Sequence, residues 1–191
     1  MLLAAVWPAS SSAQVGEGDY VRGTAELDNL IGTTITFEAT SDPFGANPAG
    51  FVDFGTREGF FHRDQVTCLN VDGNRAAIGV RIVEQQGGGS TSFVGWTLNY
   101  DVLDGPGTQD SVAFDNIDET GAPPSCAFDP DPPQQQLDPV IGGDLVVFDS
   151  PGLPKLKDDC KHHGWRTYSL FKNQGDCVSF VATGGKNPPG K

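Results

Sequence analysis

The sequence is poor in basic residues, in methionine and in histidine. Of 191 residues only 12 are Lys or Arg, against 25 Asp or Glu, for a formal net charge of −13. A polyanion has to be met by clustered bases, so nucleic acid is excluded as a partner. Partners are then neutral, cationic or divalent metal ions. Methionine occurs once, while 25 Gly and 14 Pro punctuate the chain; long helices fit poorly with that content and many turns are expected. No stretch approaches the roughly 20 apolar residues of a membrane span. The histidines are His62, His162 and His163, with no Gly-x-Ser-x-Gly elbow beside them, so nucleophilic hydrolysis has little to work with. His162 and His163 are adjacent, point different ways on any regular element and read as surface residues.

What the chain does contain is a series of short segments rich in β-formers, separated by turn residues. Tyr20–Leu27 opens it, and Ile35–Ala39 alternates apolar with polar residues as a half-buried strand does. Gly50–Phe54 and Asp64–Val71 follow a loop over Asp42–Pro48. Asp72, Gly73 and Asn74 read as a tight hairpin turn before Ala76–Ile82. Beyond the flexible Gly87–Ser90 come Phe93–Val102, Ser111–Phe114 and Leu145–Phe148. About eight strands with local connections predict a mainly β fold, an antiparallel sandwich or a small barrel.

Residues 1–13 resemble the remnant of a secretory signal peptide: an apolar stretch precedes Ser11-Ser12-Ala13, a small-x-small pattern that places cleavage after Ala13. Four cysteines agree with export. Three pairings can be drawn. Cys160 with Cys177 is favoured because both lie in one local segment, which leaves Cys68 with Cys126. On the loop-entropy argument the short bridge contributes roughly 3 kcal/mol and the long one about 4. A tetrahedral zinc site is the competing use of four cysteines, but the chain has no Cys-x-x-Cys knuckle.

Prolines mark the joints. Five of them between Ala122 and Gln136 block regular pairing and imply a long surface loop tethered by Cys126. A second joint, Asp149–Pro154, separates a β domain over 18–150 from a linker and cysteine-bracketed module over 151–191, in which short helices are expected. Trp165, Tyr168, Phe171 and Phe180 form the miniature core of that module and Cys160 with Cys177 its staple. Charge divides at the same place. From Ile82 through Pro154 there is no Lys or Arg while twelve acids occur. From Lys155 onward seven bases stand against three acids, a net charge of +4. The basic module is therefore suited to dock on the acidic β domain, although acidic faces also serve simply to keep an exported protein in solution.

The pattern Phe37-Glu-Ala39, Pro43-x-Gly45-x-Asn47-Pro48-x-Gly50-x-Val52-x-Phe54 and Val66-Thr-Cys68-Leu-Asn-Val71-x-Gly73-Asn74-x-Ala76-x-Ile78-Gly79 resembles an exported bacterial β domain catalogued as post-COAP-1, found chiefly in actinobacterial proteins. The run Cys160-Lys-x-x-Gly164-Trp165-Arg-x-Tyr168-x-x-Phe171 through Cys177-Val-Ser-Phe180 resembles a cysteine-closed C-terminal motif that recurs in the same kinds of protein. Tyr168 stands where Phe is usual, and His162-His163 replaces smaller or polar residues. The resemblance implies secretion and a β fold, and brings no catalytic residues with it.

Two sets of candidate site residues follow. Asp101, Asp104, Asp110 and Asp115, with Asn116 and Asp118, offer hard oxygen ligands around a glycine turn, the chemistry calcium prefers, though not at EF-hand spacing; a solvated hairpin loop explains them equally well. Calcium is the only cofactor to consider. Trp96, Tyr100, Phe60 and Phe61 are the aromatics to watch for ligand contact. The expectation is a secreted or envelope-associated, non-enzymatic binding module. A carbohydrate-active hydrolase with paired carboxylates, and a structural accessory of an exported assembly, are the alternatives.

Overall fold

A computed structural model describes residues 18–28, 32–42, 46–107, 109–128, 137–150, 152–154, 156–168, 170–184 and 186–187. The leader over residues 1–13 lies outside them, as do residues 129–136 of the proline-rich run and Pro43 and Gly45 of the family-like pattern. The chain falls into two compact units, one covering Gly18–Leu153 and one containing the residues from Pro154 onward.

The first unit is a closed barrel of eight strands: β1 (Tyr20–Leu27), β2 (Thr33–Thr40), β3 (Ala49–Thr56), β4 (Phe61–Asp72), β5 (Arg75–Gln86), β6 (Thr97–Leu103), β7 (Ser111–Asp118) and β8 (Asp138–Phe148). Each strand pairs antiparallel with the next, and β8 returns to β1. Of the two expected architectures the barrel is the one adopted.

Alternation explains the packing. On β2, Ile35, Phe37 and Ala39 are fully buried, and Val52 and Phe54 of β3, Ile78, Val80 and Ile82 of β5 and Leu98, Tyr100 and Val102 of β6 meet them in one core. The outer face carries charge pairs: Arg63 forms a double hydrogen bond with Asp53 across β4 and β3, and Arg75 pairs with Asp101 across β5 and β6.

One expected strand is shorter than its sequence suggests. Phe93–Trp96 reads as the start of a strand, yet β6 begins at Thr97. Trp96 instead closes a turn on Phe93, while Gly95, in the left-handed region at φ 97°, and Trp96 both bond back to Ile82 at the end of β5. The aromatics before Thr97 are thereby carried across the barrel end.

The seam between β7 and β8 is built differently from the others. Only Ser111 with Pro139 and Val112 with Asp138 are in register there, because the stagger of the barrel carries β8 past the start of β7 and along the connection from β6. That connection supplies what the ladder lacks. The main-chain oxygen of Asp110 accepts from Val140 N–H. One carboxylate oxygen of Asp110 accepts from Leu145 N–H at 2.9 Å and the other from Gly105 N–H at 3.1 Å. Asp104 accepts from Val147 N–H at 3.1 Å. Two carboxylates thus stand in for a strand edge.

A second device straps the outside of the barrel. Cys68 on β4 is joined to Cys126 with a Cα separation of 6.1 Å, and the proline-containing segment around it is held by side chains. Arg81 reaches Gly121 O, Thr97 reaches Ala122 O, Asn99 reaches Ser125 O and Asn70 reaches Cys126 O. Gly79 is required beneath it: a Cβ there would lie 2.5 Å from Cys68 Sγ and 2.7 Å from Pro124 Cγ.

The second unit has its own staple, Cys160 to Cys177, with a Cα separation of 5.7 Å. A single-turn 3₁₀ helix (Gly164–Arg166) precedes α1 (Gln174–Ala182), which Asn173 caps by accepting from Asp176 N–H. Phe171 and Phe180 are buried with ring centroids 5.4 Å apart, and Tyr168 meets Phe171 edge-on. Trp165 is only half-buried, and His162 and His163 are exposed in left-handed backbone.

Asp110→Ala removes two charge-assisted hydrogen bonds and strands the buried N–H groups of Gly105 and Leu145. It is expected to cost about 2–4 kcal/mol in urea unfolding; a loss within about 0.5 kcal/mol would show that the seam does not depend on Asp110.

Candidate functional site

One end of the barrel is hollow. A cavity of about 230 Å³ lies among residues from β3 to β7 and the connections at that end. Phe54 ends the buried phase of β3, Phe60 lies in the hairpin before β4, and His62 and Ile82 sit on β4 and β5. Phe93 and Trp96 come over the top, and Leu98 and Tyr100 of β6 with Phe114 and Ile117 of β7 complete the wall.

The rings form a connected set. Phe93 stands edge-on to Trp96 at 4.8 Å and to Phe60 at 5.8 Å, and Phe54 stands edge-on to Phe114 at 5.7 Å. Edge-to-face contacts of this kind fix ring orientation as well as adding stability. Phe93 is further held because its N–H donates to Gln85 Oε1 at 2.6 Å while Gln85 Nε2 donates to Thr91 O at 2.9 Å.

The seam opens this site. Among the described residues no part of β8 is in register with β7 beyond Val112, so no described strand pairs with the upper half of β7 on that side. Asn116 adopts φ 51° where the pairing of β6 with β7 shifts register. Such a bulge redirects side chains; here both Phe114 and Ile117 line the cavity, at 36% and 57% exposure.

Two polar residues of the described lining, His62 and Tyr100, are linked through Asp64. His62 Nδ1 lies 2.5 Å from Asp64 Oδ1, and the Tyr100 hydroxyl donates to Asp64 Oδ2 at 2.9 Å. Asp64 and Tyr100 are fully buried and His62 nearly so. Burial, and then the Asp64 charge, push the Tyr100 phenol well above its ordinary range, so it remains a neutral donor. The imidazole stacks on Phe54, with centroids 4.6 Å apart and planes 9° from parallel. Asp64 therefore orients His62, and the cavity meets the imidazole rather than the carboxylate.

Three of the four expected contact aromatics, Phe60, Trp96 and Tyr100, line this cavity. Phe61 does not, because its position on β4 places it in the opposite phase to His62 and Asp64. The sequence reading counts His62 only among the sparse histidines and Asp64 only as the start of a strand, and singles out neither as a site residue. The signal was there: polar side chains at the inward phase of a strand that continues through Val66.

The four aspartates considered for calcium separate into two places. Asp104 and Asp110 accept backbone N–H groups at the seam. Asp101 pairs with Arg75, and it raises the pKa of Asp115 on the neighbouring strand. Among the described residues no group of three or more His, Cys, Asp or Glu side chains is arranged to hold a metal ion.

No family model, curated protein or solved structure matches the chain. The class is therefore defined by its own geometry: a disulfide-strapped, eight-stranded antiparallel barrel with an aromatic cavity at one end. Among the described residues no helix is long and apolar enough to cross a membrane.

Asp115 is held above the ordinary carboxylate range, first by burial and then by the charge of Asp101. A carboxyl whose pKa rises on folding supports the fold fully below its unfolded value and loses that contribution as pH rises through the folded value. Asp115→Asn is therefore expected to raise the urea midpoint at pH 7 and to leave it unchanged below about pH 3. A lower midpoint at pH 7 would contradict this origin of the shift.

Proposed function

We propose that this is an exported, non-enzymatic binding protein that holds a small, mainly apolar molecule in the end of its barrel. The observation that carries the reading is the cavity itself. Its volume of about 230 Å³ exceeds the roughly 150 Å³ of an apolar cavity that takes up benzene, which leaves room for a substituted ring or a fused bicycle. A concave, aromatic-lined pocket with one convergent polar group is the usual form of a small-molecule site, and barrels of eight strands are of a size to hold one such ligand.

Export is supported by the two disulfides, which persist in oxidising compartments, and by the resemblance to exported actinobacterial domains. A glycoside hydrolase needs two carboxylates about 5–9 Å apart across a cleft. Here the described residues lining the cavity include no carboxylate, and among the described residues Asp64 is bonded to the lining through His62 and Tyr100. This favours binding over hydrolysis.

Naphthalene is a suitable probe. Calorimetric titration of the full chain is expected to give micromolar affinity, and Ile117→Trp, at an exposed position of the wall, to weaken it roughly tenfold by filling the entrance. Absence of any heat, together with an unchanged melting temperature at saturating probe, would refute the reading.

The charge division between the acidic barrel and the tail of net charge +4 supports electrostatic docking of the tail on the barrel. The radius of gyration of the full chain is expected to grow between about 0.05 and 0.5 M salt, as the Debye length shrinks. An identical radius at both salt concentrations would count against docking.

A further inference from the structure

Among the described lining residues His62, Tyr100 and Trp96 carry polar atoms, and the hydrogen bonds behind His62 decide what that residue can accept. Tyr100 is fully buried and keeps its proton, so its hydroxyl is the donor to Asp64 Oδ2. The ionised carboxylate can only accept. Its other oxygen then requires a donor, and His62 Nδ1 at 2.5 Å is the group in place. The geometry that satisfies Asp64 thus puts a proton on Nδ1; in the imidazole tautomer that carries no second proton, Nε2 presents a lone pair that the carboxylate behind Nδ1 strengthens as an acceptor.

We infer that the site takes an aromatic ligand bearing a weakly acidic hydroxyl, a phenol-class compound, whose O–H donates to His62 Nε2 while its ring packs among the cavity aromatics. The inference rests on the binding reading above and names the chemistry of its ligand. Competing ligand chemistries fit less well. A carboxylate would place a further acceptor against the Nε2 lone pair with no proton between them. An ammonium would need the Asp64 carboxylate itself, whose oxygens are already taken by His62 and Tyr100. An acceptor-only ligand, such as an ether, would face the Nε2 lone pair with no proton between them. The planar, edge-to-face arrangement of Phe54, Phe60, Phe93 and Phe114 suits a flat ring. The hydroxyl selects within that shape.

The test compares 2-naphthol with 2-methylnaphthalene, which replaces the hydroxyl by a methyl group of similar size. Calorimetry on the full chain at pH 7 is expected to show 2-naphthol binding roughly tenfold more tightly, although it is the more polar of the two. His62→Asn keeps an amide donor toward Asp64 and removes Nε2. It is expected to bring 2-naphthol down to the affinity of 2-methylnaphthalene while leaving the latter unchanged. If wild-type protein binds 2-methylnaphthalene as tightly as 2-naphthol or more tightly, the hydroxyl inference is overturned and the cavity reading survives. If neither compound binds, the cavity reading falls and the inference falls with it. Because the comparison on wild-type protein is decisive by itself, a poorly folding His62→Asn variant does not blunt the test.

Discussion

The barrel depends on how its last strand is closed. β8 meets β7 at only two residue pairs, and an unclosed sheet of this length would present two edges of unpaired N–H and C=O groups. Asp110 and Asp104 prevent this by offering carboxylate oxygens to Leu145, Val147 and Gly105. A carboxylate accepts more strongly than a carbonyl, and it can reach across a gap that a backbone cannot follow. Among the described residues no strand pairs with the far half of β7 on that side, and there Phe114 and Ile117 line the cavity.

The same economy appears on the outer face of β4, β5 and β6. A proline-containing segment adds no regular strand there, because Pro123 and Pro124 have no N–H to donate to a ladder. It is fastened instead by the Cys68–Cys126 bridge and by Arg81, Thr97, Asn99 and Asn70, each donating to one of its carbonyls. Gly79 admits the bridge by having no side chain. Seam and strap both use side chains to satisfy backbone groups that the ladder leaves unpaired.

Behind the cavity wall the problem is the opposite one, a carboxyl group buried away from solvent. Asp64 is fully buried, which would be costly unpaired. It is acceptable because Tyr100 and His62 each satisfy one oxygen. The arrangement also sets the direction in which His62 can interact. A network that stabilises a buried carboxylate thereby gives an apolar cavity its one point of polar selectivity.

Much of this was legible in the chain. Alternation over Ile35–Ala39 and Ala76–Ile82, the Asp72-Gly73-Asn74 turn and the local spacing of Cys160 and Cys177 are properties of neighbouring residues. They determined the strands, the hairpin, the mainly β class and the disulfide-closed tail. The tertiary structure decided the rest. Whether eight strands close into a barrel depends on stagger, which no single strand encodes. Asp104 and Asp110 looked like metal ligands until β8 was seen to place its N–H groups against them. His62 and Asp64 gained meaning only when β6 brought Tyr100, 36 residues from Asp64, to the same point. Short-range pattern determines which elements form, whereas a site made by residues far apart in the chain exists only once closure has brought them together.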